Sequence, residues 1–327
     1  MKTALRIVLG LVFVVAIVYV MSNEISVHDI TVTLQTLRWW NIVLIVGAVY
    51  AMTVLQGTRF FVILRSGQVE ISWLNTIRVF TASQAFTPLP GGEIGRAMLL
   101  KHELGSHFHD LIGPVFLQAL TELWTATLMT VLVVVFVGSV WGGWWLVGFL
   151  GLLIVLTIPL LFSKQLPRFV VWLKTRGWTY AWIDKLQMTL EQFAQLISAQ
   201  ATTKAWRFWG LLVGLGLAAQ VLNGGLLWYV VSVTGVHIGF VQALFAAAMT
   251  VLIQGIFTII PGGLGVTEGG LVGILLGFGM VWQKTVVVTL LYRLATLPLG
   301  IVIALIFLAF MYAKELMHAV LLKQNPS

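Results

Sequence analysis

Of 327 residues, 59% are hydrophobic and 9% charged, against about 45–50% apolar and about 25% charged in soluble domains, which excludes an ordinary soluble fold. The chain has no cysteine, so disulfides, thiolate nucleophiles, iron–sulfur clusters and cysteine zinc sites are excluded too, leaving acid–base, electrostatic and histidine chemistry. The net charge of +8 is spread over loops between apolar runs, which favours anionic lipid over nucleic acid as its counterpart.

A helical crossing of ~30 Å of hydrocarbon takes about 20 apolar residues, and several such runs follow one another. Lys2 and Arg6 precede an apolar run from Ile7 to Met21; no small-x-small cleavage site follows, so it reads as a retained first span. After a mixed segment, Trp39-Trp40 stand where rings sit at the headgroup level. The second span covers about 41–64, and later ones fall near 110–137, 144–162, 206–233 and 286–312, giving six full crossings of an all-α polytopic membrane protein. The 163–205 segment mixes cations with Phe169, Trp172, Trp178 and Trp182, a composition suited to helices lying in the interface. Its Lys and Arg richness, against none at 138–143 and 234–239, places it and both termini in the cytoplasm. The chain 1–327 reads as one transmembrane domain, with halves at about 41–162 and 206–314.

Two matching segments lie 171 residues apart: Phe86-Thr87-Pro88-Leu89-Pro90-Gly91-Gly92 and Phe257-Thr258-Ile259-Ile260-Pro261-Gly262-Gly263. Five of the seven positions are identical. Apolar arms precede and follow each Pro-Gly-Gly, predicting two broken helical hairpins. Backbone unpaired in hydrocarbon is tolerated only where protein or a water-filled cavity supplies partners, so the breaks mark a cavity. If the first hairpin ends near His102 on the cytoplasmic side, three crossings separate the two, and the halves have opposite orientations. Inverted repeats with discontinuous helices are a transporter arrangement with the site at the breaks. Whether the 240–281 hairpin is re-entrant or crosses twice stays open at this point.

Charges inside a membrane need a partner or a cavity, and six qualify: Arg59, Glu93, Arg96, Glu122, Glu268 and Arg293. Three acids balance three bases, as expected around one polar centre. Glu122 and Arg293 occupy equivalent repeat positions, which suggests a partnership between them. The second arms begin at Gly92-Glu93 and Thr267-Glu268, and helix N-termini attract anions such as phosphate. Gly91, Gly92, Gly262 and Gly263 open the backbone there, Arg96 adds a fork for phosphate, and Thr267 is expected to cap the second helix. Glu268 is open between capping and participation, and Arg59 between participation and snorkelling to the interface. The His-rich run from Lys101 to Asp110 lacks a zincin pattern and reads as a solvated loop. No P-loop, nucleophile elbow or dinucleotide fingerprint appears, so no catalytic residue, metal or cofactor is expected.

The segments Phe86-Thr87-Pro88-Leu89-Pro90-Gly91-Gly92-Glu93-Ile94-Gly95-Arg96 and Ile260-Pro261-Gly262-Gly263-Leu264-Gly265-Val266-Thr267-Glu268-Gly269, with Gly57-Thr58-Arg59-Phe60 upstream, resemble the lysylphosphatidylglycerol synthase transmembrane-region family over nearly the whole chain. The resemblance implies a flippase-like membrane domain and lipid handling, and it carries roles to Arg59, Glu93, Arg96 and Glu268. In relatives the domain precedes a cytoplasmic synthase domain; with the chain ending at Ser327, lysyl transfer is not expected here. Stand-alone relatives point to hopanoids, polyprenyl-linked sugars or other lipids. The expectation is a lipid translocase of the bacterial inner membrane, with membrane lipids, anionic or phosphate-bearing, as partners. The alternative is a non-transporting subunit that docks a separate lipid-modifying enzyme on the 163–205 face.

Overall fold

The structure is a computed structural model that describes residues 38–87, 92–104, 108–137, 205–257 and 263–324, with a few isolated helical positions between 148 and 194. The expected span at Ile7–Met21, the loops bearing Gly91 and Gly262, most of the 144–162 span and most of the 163–205 segment lie outside the described residues. Among the described residues every regular element is helical. In chain order these are α1 (Trp39–Ser66), α2 (Trp73–Ser83) with a 3₁₀ turn at Gln84–Phe86, α3 (Gly92–Leu104), α4 (Phe108–Val137), α5 (Ala205–Val233), α6 (Phe240–Ile256), α7 (Val266–Gly277), α8 (Trp282–Thr296) and α9 (Pro298–Gln324).

Four stretches are long and apolar enough to cross a membrane: Trp39–Ser66, Leu111–Phe136, Trp206–Val233 and Trp282–Tyr312. The chain is an integral membrane protein. The second, third and fifth spans predicted near 41–64, 110–137 and 206–233 thus fall on α1, α4 and α5. The predicted span at 286–312 differs: it starts at Trp282 and is interrupted at Leu297, because Pro298 has no N–H to continue the ladder. Trp39 is 76% exposed at the start of α1, where an indole meets the headgroup layer.

Described helices flank both Pro-Gly-Gly segments, ending at Phe86 and Ile256 before them and resuming at Gly92 and Val266. Their arms are short: α2 and α3 have 11 and 13 residues, and α6 and α7 have 17 and 12, about 16–26 Å at 1.5 Å per residue. The first arm starts where Ser72 caps α2, its hydroxyl accepting the Asn75 N–H at 3.2 Å. Glycine is required for different reasons at the two breaks. A Cβ on Gly92 would lie 2.3 Å from the Phe86 carbonyl oxygen, whereas Gly263 and Gly265 have φ of +64° and +86°.

Shifted by 171 residues, α1 to α4 fall on α5 to α8 and the start of α9. Packing follows the same correspondence: α4 lies against α6 and α9 against α2, while the equivalent helices α1 and α5 pack on each other. Asn41 near the start of α1 meets Tyr229 near the end of α5, and Arg59 meets Gly216, so α1 and α5 run antiparallel. The apolar core lies in clusters of α1, α5, α6, α7 and α8 on one side and α1, α2, α3, α4 and α9 on the other, leaving a polar centre between them.

Candidate functional site

That centre is a cavity of about 300 Å³. Gln56 of α1, Gln84 and Thr87 at the first break, Arg96 of α3, Glu122 of α4, Gln220 and Asn223 of α5, Gln254 of α6 and Tyr292 and Arg293 of α8 all line it. Equivalent repeat positions line it in pairs: Val49 with Gln220, Met52 with Asn223, Gln84 with Gly255, and Glu122 with Arg293. Three interruptions converge here, since Thr296, Leu297 and Gly300 beside Pro298 also face it.

Arg59 is only 1% exposed and does not snorkel. Its Nε donates to Gln118 Oε1 at 3.2 Å, Nη1 donates to Thr125 Oγ1 at 3.4 Å, and Nη2 lies 3.7 Å from Glu122 Oε2. A Cβ on Gly216 would come within 2.8 Å of Nη1, so glycine lets α5 close over the guanidinium. Glu122 also accepts from Gln56 Nε2 at 3.2 Å. Buried charges survive in hydrocarbon when opposite charge and hydrogen bonds replace water.

In the second half Arg293 Nε donates to Glu268 Oε1 at 2.6 Å. Glu268 Oε2 accepts the Gly265 N–H. Glu268 therefore does both things open to it: it closes the N-terminus of α7 and neutralises Arg293. Glu122 and Arg293, the suggested partners, both line the cavity, Glu122 bonded to Arg59 and Gln56 and Arg293 to Glu268. Thr267 does not cap α7. It is the second residue of that helix, and its fully buried hydroxyl has no hydrogen-bond partner beside Gly263. A carboxylate already occupies the positive end of α7, so the free anion-binding helix end expected there is filled from within.

Arg96 is 6% exposed. Its guanidinium lies over Phe80 at 4.3 Å and Phe60 at 5.6 Å, and Nε donates to Ser83 Oγ at 3.0 Å. Two aromatic faces and a hydroxyl hold it at the edge of the cavity. Of Glu93 only the backbone lies among the described residues. The structure thus brings Arg96, Glu122 and Arg293 to one cavity, ties Arg59 and Glu268 to its walls, and sets Gly92 and Gly263 at its two breaks.

The carboxamides Gln56, Gln84, Gln220, Asn223 and Gln254 were not singled out from the sequence. Their signal is an uncharged polar side chain inside an apolar helix, plainest at Gln220 and Asn223, three residues apart and hence on one face.

Apolar helices long enough to cross a membrane, packed around a buried polar cavity, define an integral membrane protein. The lysylphosphatidylglycerol synthase TM region family matches residues 7–319, and the chain belongs to that family, one of membrane domains of lipid-related function. No curated protein matches the chain.

Proposed function

We propose that this protein is a lipid translocase of the bacterial inner membrane, in which a headgroup enters the central cavity while its acyl chains stay in the bilayer. The observation that carries the reading is the placement of Arg96, Glu122 and Arg293 on one cavity between the two breaks. At about 300 Å³ the space is at the lower end of small-ligand pockets, a size for a headgroup rather than for a whole lipid. Arg96 and Arg293 hold the phosphate, while in its absence Glu268 neutralises Arg293 and Glu122 neutralises Arg59 on the cavity wall. Reciprocal packing and repeat-paired lining residues support halves of opposite orientation. The arms, each shorter than a bilayer core, support re-entrant hairpins. Both termini and the 163–205 segment are assigned to the cytoplasm, and no covalent chemistry is assigned to the chain.

The test is leaflet exchange of headgroup-labelled phospholipids and a polyprenyl phosphate in proteoliposomes, with and without a proton gradient. The wild type should exchange at least one class, and Arg96→Ala and Glu268→Gln should slow it at least tenfold in folded protein. Normal exchange by both variants removes the cavity from the mechanism. No exchange of any lipid by folded wild type overturns the translocase in favour of a subunit docking a lipid-modifying enzyme.

A further inference from the structure

Resting on the topology in which the first hairpin enters from the cytoplasm, we propose that α2 carries a lipid site on its outer wall, apart from the cavity, where Arg78 and Asn75 hold the phosphate of an anionic inner-leaflet phospholipid. Arg59, Arg96 and Arg293 are buried, whereas Arg78 is exposed and makes no hydrogen bond, ion pair or ring contact. It is the sixth residue of an arm that starts at Trp73, about 8 Å along the helix axis. A guanidinium at that depth calls for an anion or for water. Glu70 on the turn before α2 and Glu103 in the last turn of α3 are exposed as well, yet neither pairs with it.

The surface around Arg78 defines the anion. Leu74, Asn75 and Arg78, four and three residues apart, form one exposed stripe. The stripe ends at Arg78, because Thr81 and Ala82, which would continue it, are buried. Side chains on a helix tilt toward its N-terminus, so on an arm entering from the cytoplasm Arg78 leans back toward Asn75 and the headgroup layer. Trp73 is 45% exposed at that level, its indole N–H already given to Thr58 Oγ1 at 3.0 Å, so the ring flanks the site without competing for the phosphate. The guanidinium fork and the carboxamide N–H suit neighbouring phosphate oxygens, and exposed Leu74 adds an apolar contact that a lipid fills and a free phosphate does not. Arg78 does not line the cavity. Phe80, which carries the Arg96 guanidinium at 4.3 Å, is two residues further on and therefore about 200° around α2.

The experiment measures binding of dioctanoyl phosphatidylglycerol, dioctanoyl phosphatidylcholine and glycerol 3-phosphate to the full chain in detergent by native mass spectrometry. Phosphatidylglycerol should bind several-fold tighter than phosphatidylcholine, and glycerol 3-phosphate should not displace it at equal concentration. Arg78→Gln should weaken one bound phosphatidylglycerol per chain at least tenfold, with Arg78→Lys in between. Both variants should melt like the wild type, since Arg78 has no protein partner to lose. Arg96→Ala should leave this lipid in place. Binding unchanged in Arg78→Gln, loss of the lipid in Arg96→Ala alone, or full displacement by glycerol 3-phosphate overturns the proposal. Because the chain has no native cysteine, labelling of Arg78→Cys by a membrane-impermeant maleimide in right-side-out and inverted vesicles tests the topology separately. Labelling from the outside alone overturns cytoplasmic entry and the inner-leaflet placement, whereas labelling from the cytoplasm with binding unchanged in Arg78→Gln overturns the lipid site and leaves the topology standing.

Discussion

Arg59 makes the strictest demand of any single side chain, because a guanidinium excluded from water must keep every compensating group. Glu122→Ala should lower stability by about 3 kcal/mol, whereas the double replacement Arg59→Met with Glu122→Leu should cost much less; thermal unfolding in detergent measures both. If the single and double variants melt alike, the pair is not what holds Arg59 in place. Backbone strain gives a second contrast. Gly265→Ala, at φ +86°, should destabilise by about 1–2 kcal/mol, while Gly269→Ala, on α7 with nothing within 4 Å of its added carbon, should be neutral or stabilising. The sequence showed Arg59, Arg96, Glu122, Glu268 and Arg293 because charge in an apolar run is conspicuous. It could not show that Arg59 is enclosed rather than snorkelled, since that depends on Gly216 of α5 approaching from 157 positions away in the chain.

Among the elements, the long helices were legible from apolar run length, and the two hairpins from repeated Pro-Gly-Gly. The break between α8 and α9 was not, because the candidate span that contains it has the highest mean hydropathy of the four, 2.6, and one proline barely alters such an average. Yet that break places Thr296, Leu297 and Gly300 on the cavity. Pro298→Ala restores an N–H and straightens the junction. Under the translocase reading it should slow lipid exchange several-fold without loss of thermal stability. Unchanged exchange would make the proline a packing feature alone. The same averaging hid the carboxamides, whose polarity is submerged by neighbouring leucine and valine.

On the scale of the whole molecule, two ion pairs among the described residues close within one half: Arg59 with Glu122 before residue 138, Glu268 with Arg293 after 204. Between the halves, Tyr229 donates to Asn41 at 2.8 Å, and Tyr312 lies 3.5 Å from His102 Nδ1. Under the translocase reading, a shift of the halves against each other leaves both of these pairs intact, the motion expected of inverted-repeat carriers. The absence of native cysteine makes this directly testable. A short bismaleimide spacer joining Asn41→Cys to Tyr229→Cys should reduce exchange at least tenfold relative to the same variant before cross-linking, while unfolding stays cooperative. Full exchange in the linked protein would rule out movement at that seam.

Under the translocase reading, the three acids and three bases that the sequence places in apolar segments bear on voltage. A carrier whose own formal charges cancel contributes none as its site changes sides, so the only charge displaced through the field is the cargo's. For an anionic headgroup, an inside-negative potential of 100 mV biases the distribution toward the outer leaflet by about 2.3 kcal/mol per charge, roughly fifty-fold at equilibrium. Lipid flux through such a protein would register as an electrical current, and the resting potential would set its direction without any nucleotide.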